Sequence, residues 1–127
     1  MKSYYLVDID NMSDYNSHNS RVEGDNLLNQ VEESLSYLLK GTSTKVRRDG
    51  DEFILERNLV ALDKCIEFGN IILDCISEYK VKATLVFTID RNERSKDENI
   101  NKLRIGIIKT KFQQRNIVGY IEWDMHY

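Results

Sequence analysis

The sequence predicts an α+β fold, a mainly antiparallel sheet with helices covering one face. Three observations predict it. A short apolar run, Tyr4 to Val7, has strand length; a glycine turn at Asp49-Gly50-Asp51 separates two strand-like runs; and two segments repeat apolar residues at the three- and four-residue steps of a helix face. With 127 residues the chain is long enough for one core and too short for a second, so residues 1–127 read as a single domain.

Residues 3 to 9 read as a buried strand, and residues 10 to 23, rich in Asn, Ser and Asp, as a long polar loop. After Glu23-Gly24-Asp25, Leu28, Val31, Leu35 and Leu38 mark one apolar helix face, closed by Gly41. Residues 44 to 48 and 53 to 56 read as two strands of a hairpin, where Gly50 supplies the positive φ of a tight turn and Asp51 and Glu52 fall at or just beyond the tip. Leu59, Leu62, Ile66, Gly69, Leu73 and Ile76 give a second amphipathic helix, and Val81 to Thr88 a β-branched strand. A charged loop, Asp90 to Asn99, leads to a third helix through Ile100, Leu103 and Ile107, whose continuation puts Lys111 and Arg115 four residues apart on one face. Residues 117 to 123 close the sheet.

Composition narrows the function. A net charge of −3 with 31% charged residues describes a soluble, mildly acidic protein without the basic stripe that duplex DNA or an anionic membrane demands. Polymeric nucleic acid and membranes are therefore not expected partners. The absence of an early apolar run of about 20 residues points to a cytoplasmic location. Cys65 and Cys75 lack metal-site spacing and read as reduced core thiols. His18 and His126, in a polar loop and at the terminus, read as exposed, and Tyr4, Tyr5, Phe53 and Phe68 as packing residues.

The chemistry lies in the acids. Asp8 and Asp10 end the first strand, and Asp51 and Glu52 sit at the hairpin tip, so the two pairs can meet at one sheet edge. Carboxylates crowded together favour a divalent cation between them. Magnesium, or manganese in its place, accepts a few carboxylates together with substrate phosphates and water, the pattern of a two-metal nucleotidyl-transfer site.

The chain resembles the GGDEF nucleotidyl cyclases over nearly its whole length. Their D-x-D-x-F-K-x-x-N-D-x-x-G-H-x-x-G-D segment is matched by Asp8, Asp10, Met12, Asn16, Gly24 and Asp25 without a gap; Asp49-Gly50-Asp51-Glu52-Phe53 stands at the signature hairpin; and Gly106 to Lys111 with Gln114 to Val118 echoes their late A-L-Y-x-A-K-x-x-G-R-N-x-V segment. The resemblance implies a palm or ferredoxin-like sheet. It further implies that Asp8, Asp51 and Glu52 hold the metals with the Ile9 carbonyl, that Glu52 helps bind metal or takes the proton from the attacking hydroxyl, that Asn16 and Asp25 read the guanine edge, and that Lys111 and Arg115 grip the terminal phosphates. Backbone amides of residues 11 to 14 are placed to cradle phosphates.

Departures from the pattern are equally specific. Asp49 replaces the first signature glycine and adds negative charge beside the triphosphate; Ser13 stands at the family's lysine, and Ser20-Arg21 at its Gly-His. Lys40 and Ser43 stand where an inhibitory product site has arginine and aspartate, so feedback there is not expected. The chain opens at the family's first strand, so the preceding D-x-L-T-G-L and N-R-R elements and a sensor domain are expected to be missing. A lone palm of this size also resembles the minimal CRISPR polymerases, whose G-G-D-D hairpin differs from Asp51-Glu52 and which are implicated in cyclic-nucleotide signalling against phage.

The implied function is condensation of two nucleoside triphosphates, GTP by Asn16 and Asp25 or ATP on the CRISPR branch, into a cyclic dinucleotide, with pyrophosphate released. Two facing half-sites imply a homodimer, at least transiently, and the product implies an effector in signalling or anti-phage defence. The alternatives are a degenerate domain that binds nucleotide or a partner without turnover, and a phosphohydrolase or linear oligonucleotide synthase on the same metal site.

Overall fold

A computed structural model describes residues 1–123. His126 and the last residues of the sequence lie outside them. The elements run β1 (Lys2–Ile9), α1 (Met12–His18), α2 (Arg21–Leu38), β2 (Lys45–Asp49), β3 (Glu52–Arg57), α3 (Leu62–Ser77), β4 (Ala83–Asp90), α4 (Lys96–Gln113) and β5 (Val118–Tyr120). The sheet order is β2-β3-β1-β4-β5. β1 pairs antiparallel with β3 and β4, β2 pairs antiparallel with β3, and β5 runs parallel to β4. The α+β class and the mainly antiparallel sheet are those the sequence predicts.

The helices, however, cover both faces rather than one. Tyr5, Val7 and Ile9 of β1, with Phe53, Leu55, Leu85 and Phe87, pack against Leu28, Val31 and Leu35 of α2 and Cys65, Phe68 and Ile72 of α3. Tyr4 and Leu6, with Ile54 and Val86, pack against Ile100, Leu103 and Ile107 of α4. Alternation puts neighbouring β1 residues on opposite faces, and burial on both sides leaves Ser3 through Val7 without a solvent side. The aromatics expected to pack do so: Tyr4, Tyr5, Phe53 and Phe68 are all buried.

Residues 10 to 23 are not one loop. Met12–His18 form α1, and α2 begins at Arg21, where the Ser20 hydroxyl accepts a hydrogen bond from the Glu23 N–H at 3.0 Å. A cap of this kind contributes about 1 kcal/mol. The same device starts α4 early: Ser95 accepts from the Glu98 N–H at 3.1 Å, so the helix begins at Lys96 and not near Ile100. At its other end α4 stops at Gln113, and Gln114 is already extended. Arg115 is thus off the helix, which corrects the expectation that it shares a helical face with Lys111. Both cysteines are free; Cys65 is buried, and burial pushes the Cys75 thiol above its ordinary value.

A polar pin fastens the start of α4 to the end of β4. The Asn99 amide donates to Asp90 Oδ2 at 3.0 Å, Trp123 Nε1–H donates to Asn99 Oδ1 at 3.0 Å, and Arg94 pairs with Asp90 at 3.3 Å while stacking over the Trp123 ring. Burial alone would push the Asp90 carboxyl up, but hydrogen bonds from the Asn92 N–H, Asn99 and Arg94 outweigh it and hold Asp90 below its ordinary value. That stabilisation is complete above the unfolded carboxylate's value and is lost as pH falls through the depressed native one. Urea midpoints measured from neutral to acid pH are expected to fall less steeply for Asp90→Asn than for the unsubstituted chain, with the variant already weaker at neutral pH. Parallel acid limbs would remove Asp90 from this role.

Candidate active site

The parity of β1 decides where its acids point. Asp8 continues the row of Tyr4 and Leu6 on the α4 face, and in the antiparallel register it stands opposite Glu52 of β3. Asp49 pairs with Glu52 across the hairpin, leaving Gly50 and Asp51 as a two-residue turn with Gly50 at φ 61°. The structure therefore brings Asp8, Asp51 and Glu52 together, as the sequence predicts. They line one open cleft of about 470 Å³ with Asp49 and Arg104.

Two cations from α4 lean over these acids. Lys111 Nζ lies 3.0 Å from Asp8 Oδ2 and 3.0 Å from Asp10 Oδ1. Arg104 Nε is 3.1 Å from Glu52 Oε2, and its Nη2 is 3.1 Å from Asp49 Oδ2. Seven residues apart, the two cations lie two turns apart on nearly the same side of the helix. Arg104 was not among the sequence-derived site residues, whereas Asp10 was paired with Asp8 as an acid ending the first strand. The extra charge of Asp49 is thus met by a cation inside the protein.

Asp10 is the most buried of these acids. Its Oδ1 also accepts from the Thr84 hydroxyl at 2.9 Å, while its Oδ2 is buried without a hydrogen-bond partner. Thr84 in turn accepts from the Asn116 N–H at 3.0 Å. Arg115 reaches Asn11 Oδ1 at 2.9 Å and lines a separate concavity of about 680 Å³ with Lys80, Lys82 and His18. Lys111 and Arg115 therefore flank the Asp10-Asn11 turn from different sides rather than forming a joint clamp along one helix.

Asn16 and Asp25 lie across the seam between α1 and α2. A Cβ on Gly24 would fall 1.8 Å from Asn16 Oδ1, so glycine is what lets the Asn16 amide lie against α2. Asn16 Oδ1 is buried and unpartnered, whereas the Asp25 carboxylate is exposed, 3.8 Å from Arg48 Nη2. Arg48 also donates to Asn29 Oδ1 and, through Nε at 2.9 Å, to the Gly50 carbonyl. One arginine thereby joins α2 to the hairpin that carries Asp51.

The donor set fits a hard divalent cation. Asp51 has no ion pair among the described residues, and Asp8 and Glu52 present oxygens to the same cleft. Among the described residues no three His, Cys, Asp or Glu side chains close into a cage of their own. Magnesium needs no such cage, since one or two carboxylates plus phosphate oxygens and water complete its shell.

A family profile described as "Diguanylate cyclase, GGDEF domain" matches residues 3–118, and the chain belongs to that family. Among solved structures it is similar to the active GGEEF domain of a diguanylate cyclase from Vibrio cholerae, at 16% identity and TM-score 0.79, covering 94% of this chain and 82% of that one. It is also similar to the GGDEF domain of DgcB from Caulobacter crescentus in complex with c-di-GMP, at 15% identity and TM-score 0.82, covering 94% and 77%. A GGDEF domain from Pseudomonas aeruginosa matches at 16% identity and TM-score 0.81, over 97% and 83%. At these identities the structures establish the shared fold. No curated protein sequence matches the chain. No helix among the described residues is long and apolar enough to cross a membrane.

Removing Lys111 leaves the Asp8 and Asp10 carboxylates facing each other with no cation between them. Lys111→Met is expected to cost about 2–3 kcal/mol in urea denaturation at neutral pH, and added magnesium is expected to restore part of that loss. An unchanged midpoint would mean that the two ion pairs contribute nothing net.

Proposed function

We propose that the chain is a nucleotidyl cyclase that condenses two molecules of GTP into a cyclic dinucleotide. The observation that carries this reading is the meeting of Asp8, Asp51 and Glu52 in one cleft, with Lys111 ion-paired to the Asp8 carboxylate. A ribose 3′-oxygen attacks the α-phosphorus of a second nucleotide, the bond to the pyrophosphate oxygen breaks, and pyrophosphate leaves. Repeated in the opposite sense, the step closes the ring. Magnesium or manganese held by Asp8, Asp51, Glu52 and the Ile9 carbonyl would supply the charge that activates the attacking oxygen and steadies the leaving one.

The chain's own groups do the rest. Glu52, on the cleft wall, either adds an oxygen to the metal or takes the hydroxyl proton once Arg104 releases it. Lys111 turns from Asp8 and Asp10 toward the terminal phosphates when the nucleotide arrives, and Arg115 meets them from the far side of the Asp10-Asn11 turn. Asn16 and Asp25 take the base edge: the amide both donates and accepts, and the carboxylate accepts from guanine N1 and N2. Ring closure from two nucleotides requires two chains with facing clefts.

A second reading has an observation of its own. Arg104 joins Glu52 to Asp49, and a hairpin held this way suits a domain that binds nucleotide without turnover. Incubation with each triphosphate, singly and mixed, with magnesium or manganese, and product identification by mass spectrometry separates the two. The cyclase reading expects a cyclic guanine dinucleotide and pyrophosphate, abolished by chelation and reduced about 100-fold or more by Asp51→Ala with the fold intact. An adenine product would move the assignment toward the minimal CRISPR polymerases and a defence role. Nucleotide-dependent thermal stabilisation without any product would leave the binding module.

Gly24→Ala tests the base site separately. It is expected to push the Asn16 amide out of the α1–α2 seam and raise the GTP dissociation constant by about tenfold, measured by calorimetry, while leaving magnesium binding unchanged. Equal affinity would exclude Asn16 from base recognition.

A further inference from the structure

Arg48 pairs with Phe53 in the β2–β3 register, and Phe53 belongs to the core under α2 and α3. Paired residues share a sheet face, so the guanidinium reaches α2 and not the carboxylate cleft. Two of its three nitrogens are fixed. Nε donates to the Gly50 carbonyl at 2.9 Å, and Nη1 donates to Asn29 Oδ1. With its side chain only 19% exposed, the arm has little rotamer freedom left to lose when a ligand arrives.

The third nitrogen is free to act. Among the described residues Nη2 meets Asp25 Oδ1 alone, at 3.8 Å, a separation too long for a hydrogen bond. Its hydrogens, and both oxygens of the exposed Asp25 carboxylate, therefore remain open to a third group. A donor here stands beside two acceptors. Guanine presents the reverse row along one edge, the acceptor O6 followed by the donors N1–H and N2–H. Adenine carries a 6-amino donor where guanine has O6, and an acceptor at N1, so it sets donor against donor and acceptor against acceptor.

We propose that Arg48 is a specificity-determining residue of the base site, donating from Nη2 to guanine O6 while Asp25 accepts from N1–H and N2–H. The inference rests on the cyclase reading for the place of the base, and not on turnover. A charged donor held in advance by Asn29 and the Gly50 carbonyl strengthens the contact with guanine and rejects the 6-amino group. The Gly50 carbonyl belongs to the peptide bond that leads into Asp51, so removing the arm also disturbs the turn. Ratios between ligands separate the two effects.

Calorimetry with magnesium on the parent and Arg48→Met tests it, comparing GTP, ATP and 6-thio-GTP. In the last, sulfur replaces O6 and accepts weakly, while N1–H and N2–H remain. The parent is expected to bind GTP about tenfold or more tighter than either of the others. In Arg48→Met, GTP is expected to weaken about tenfold and the other two much less, so the ratio of GTP to 6-thio-GTP affinity falls toward one. An arm that only braces the hairpin would weaken all three alike and preserve the ratio, which would overturn the proposal. A parent that binds GTP and 6-thio-GTP equally would do the same. The expected ratios without any product would keep Arg48 at O6 and sink the cyclase. A parent that binds ATP as tightly as GTP, or binds no triphosphate, would overturn the guanine reading and the role of Arg48 together.

Discussion

The two-sided burial of β1 is the constraint on which everything else depends. A strand has one side chain per face in alternation, so a central strand packed on both faces has no freedom of register. A slip by one residue would drive Asp8 into the α2–α3 core and expel Val7 toward α4. The register that seats Tyr4 and Leu6 under α4 is therefore the same one that delivers Asp8 to the cleft, opposite Glu52. Packing and chemistry are set by one alternation.

The cleft that results is a place of balanced charge. Asp8, Asp10, Asp49 and Glu52 are each met by Lys111 or Arg104, both from one helix, and Asp51 at the turn is not. Without such neutralisation, carboxylates on adjacent strands would repel and loosen the hairpin. A triphosphate with its cation brings the opposite arrangement, positive charge for the acids and negative charge for the lysine. In the cyclase proposed above, these partnerships exchange when the nucleotide binds.

Much of this was legible in the chain. The hairpin was, because Gly50 leaves few alternatives for a two-residue turn, and so were α2 and α3, because their apolar residues recur at helical steps. The short α1 was not, since Met12 is its sole buried residue, Tyr15 packs only in part, and the others are polar. The starts of α2 and α4 were written in Ser20-x-x-Glu23 and Ser95-x-x-Glu98, a capping signal that apolar periodicity does not capture. The second helical layer was signalled by the unbroken run Tyr4 to Val7, which an open sheet face would have interrupted with polar residues. Asp8, Asp51 and Glu52 were readable from their motif. Arg104 was not, because its partners lie 52 and 55 residues away and nothing local marks it. Arg115 left the helix where neither glycine nor proline announces a stop.

The outermost strand has a further consequence. β2 carries Lys45, Arg47 and Arg48 in five residues, and it forms the free rim of the sheet. A row of unpaired backbone groups on such a rim is a template for a foreign strand, and clustered positive charge makes a like rim repel it. Two copies of this chain cannot readily extend one continuous sheet through β2, nor stack toward a fibril from that side. Of the two sheet edges, only the one formed by β5 is without this clustered positive charge.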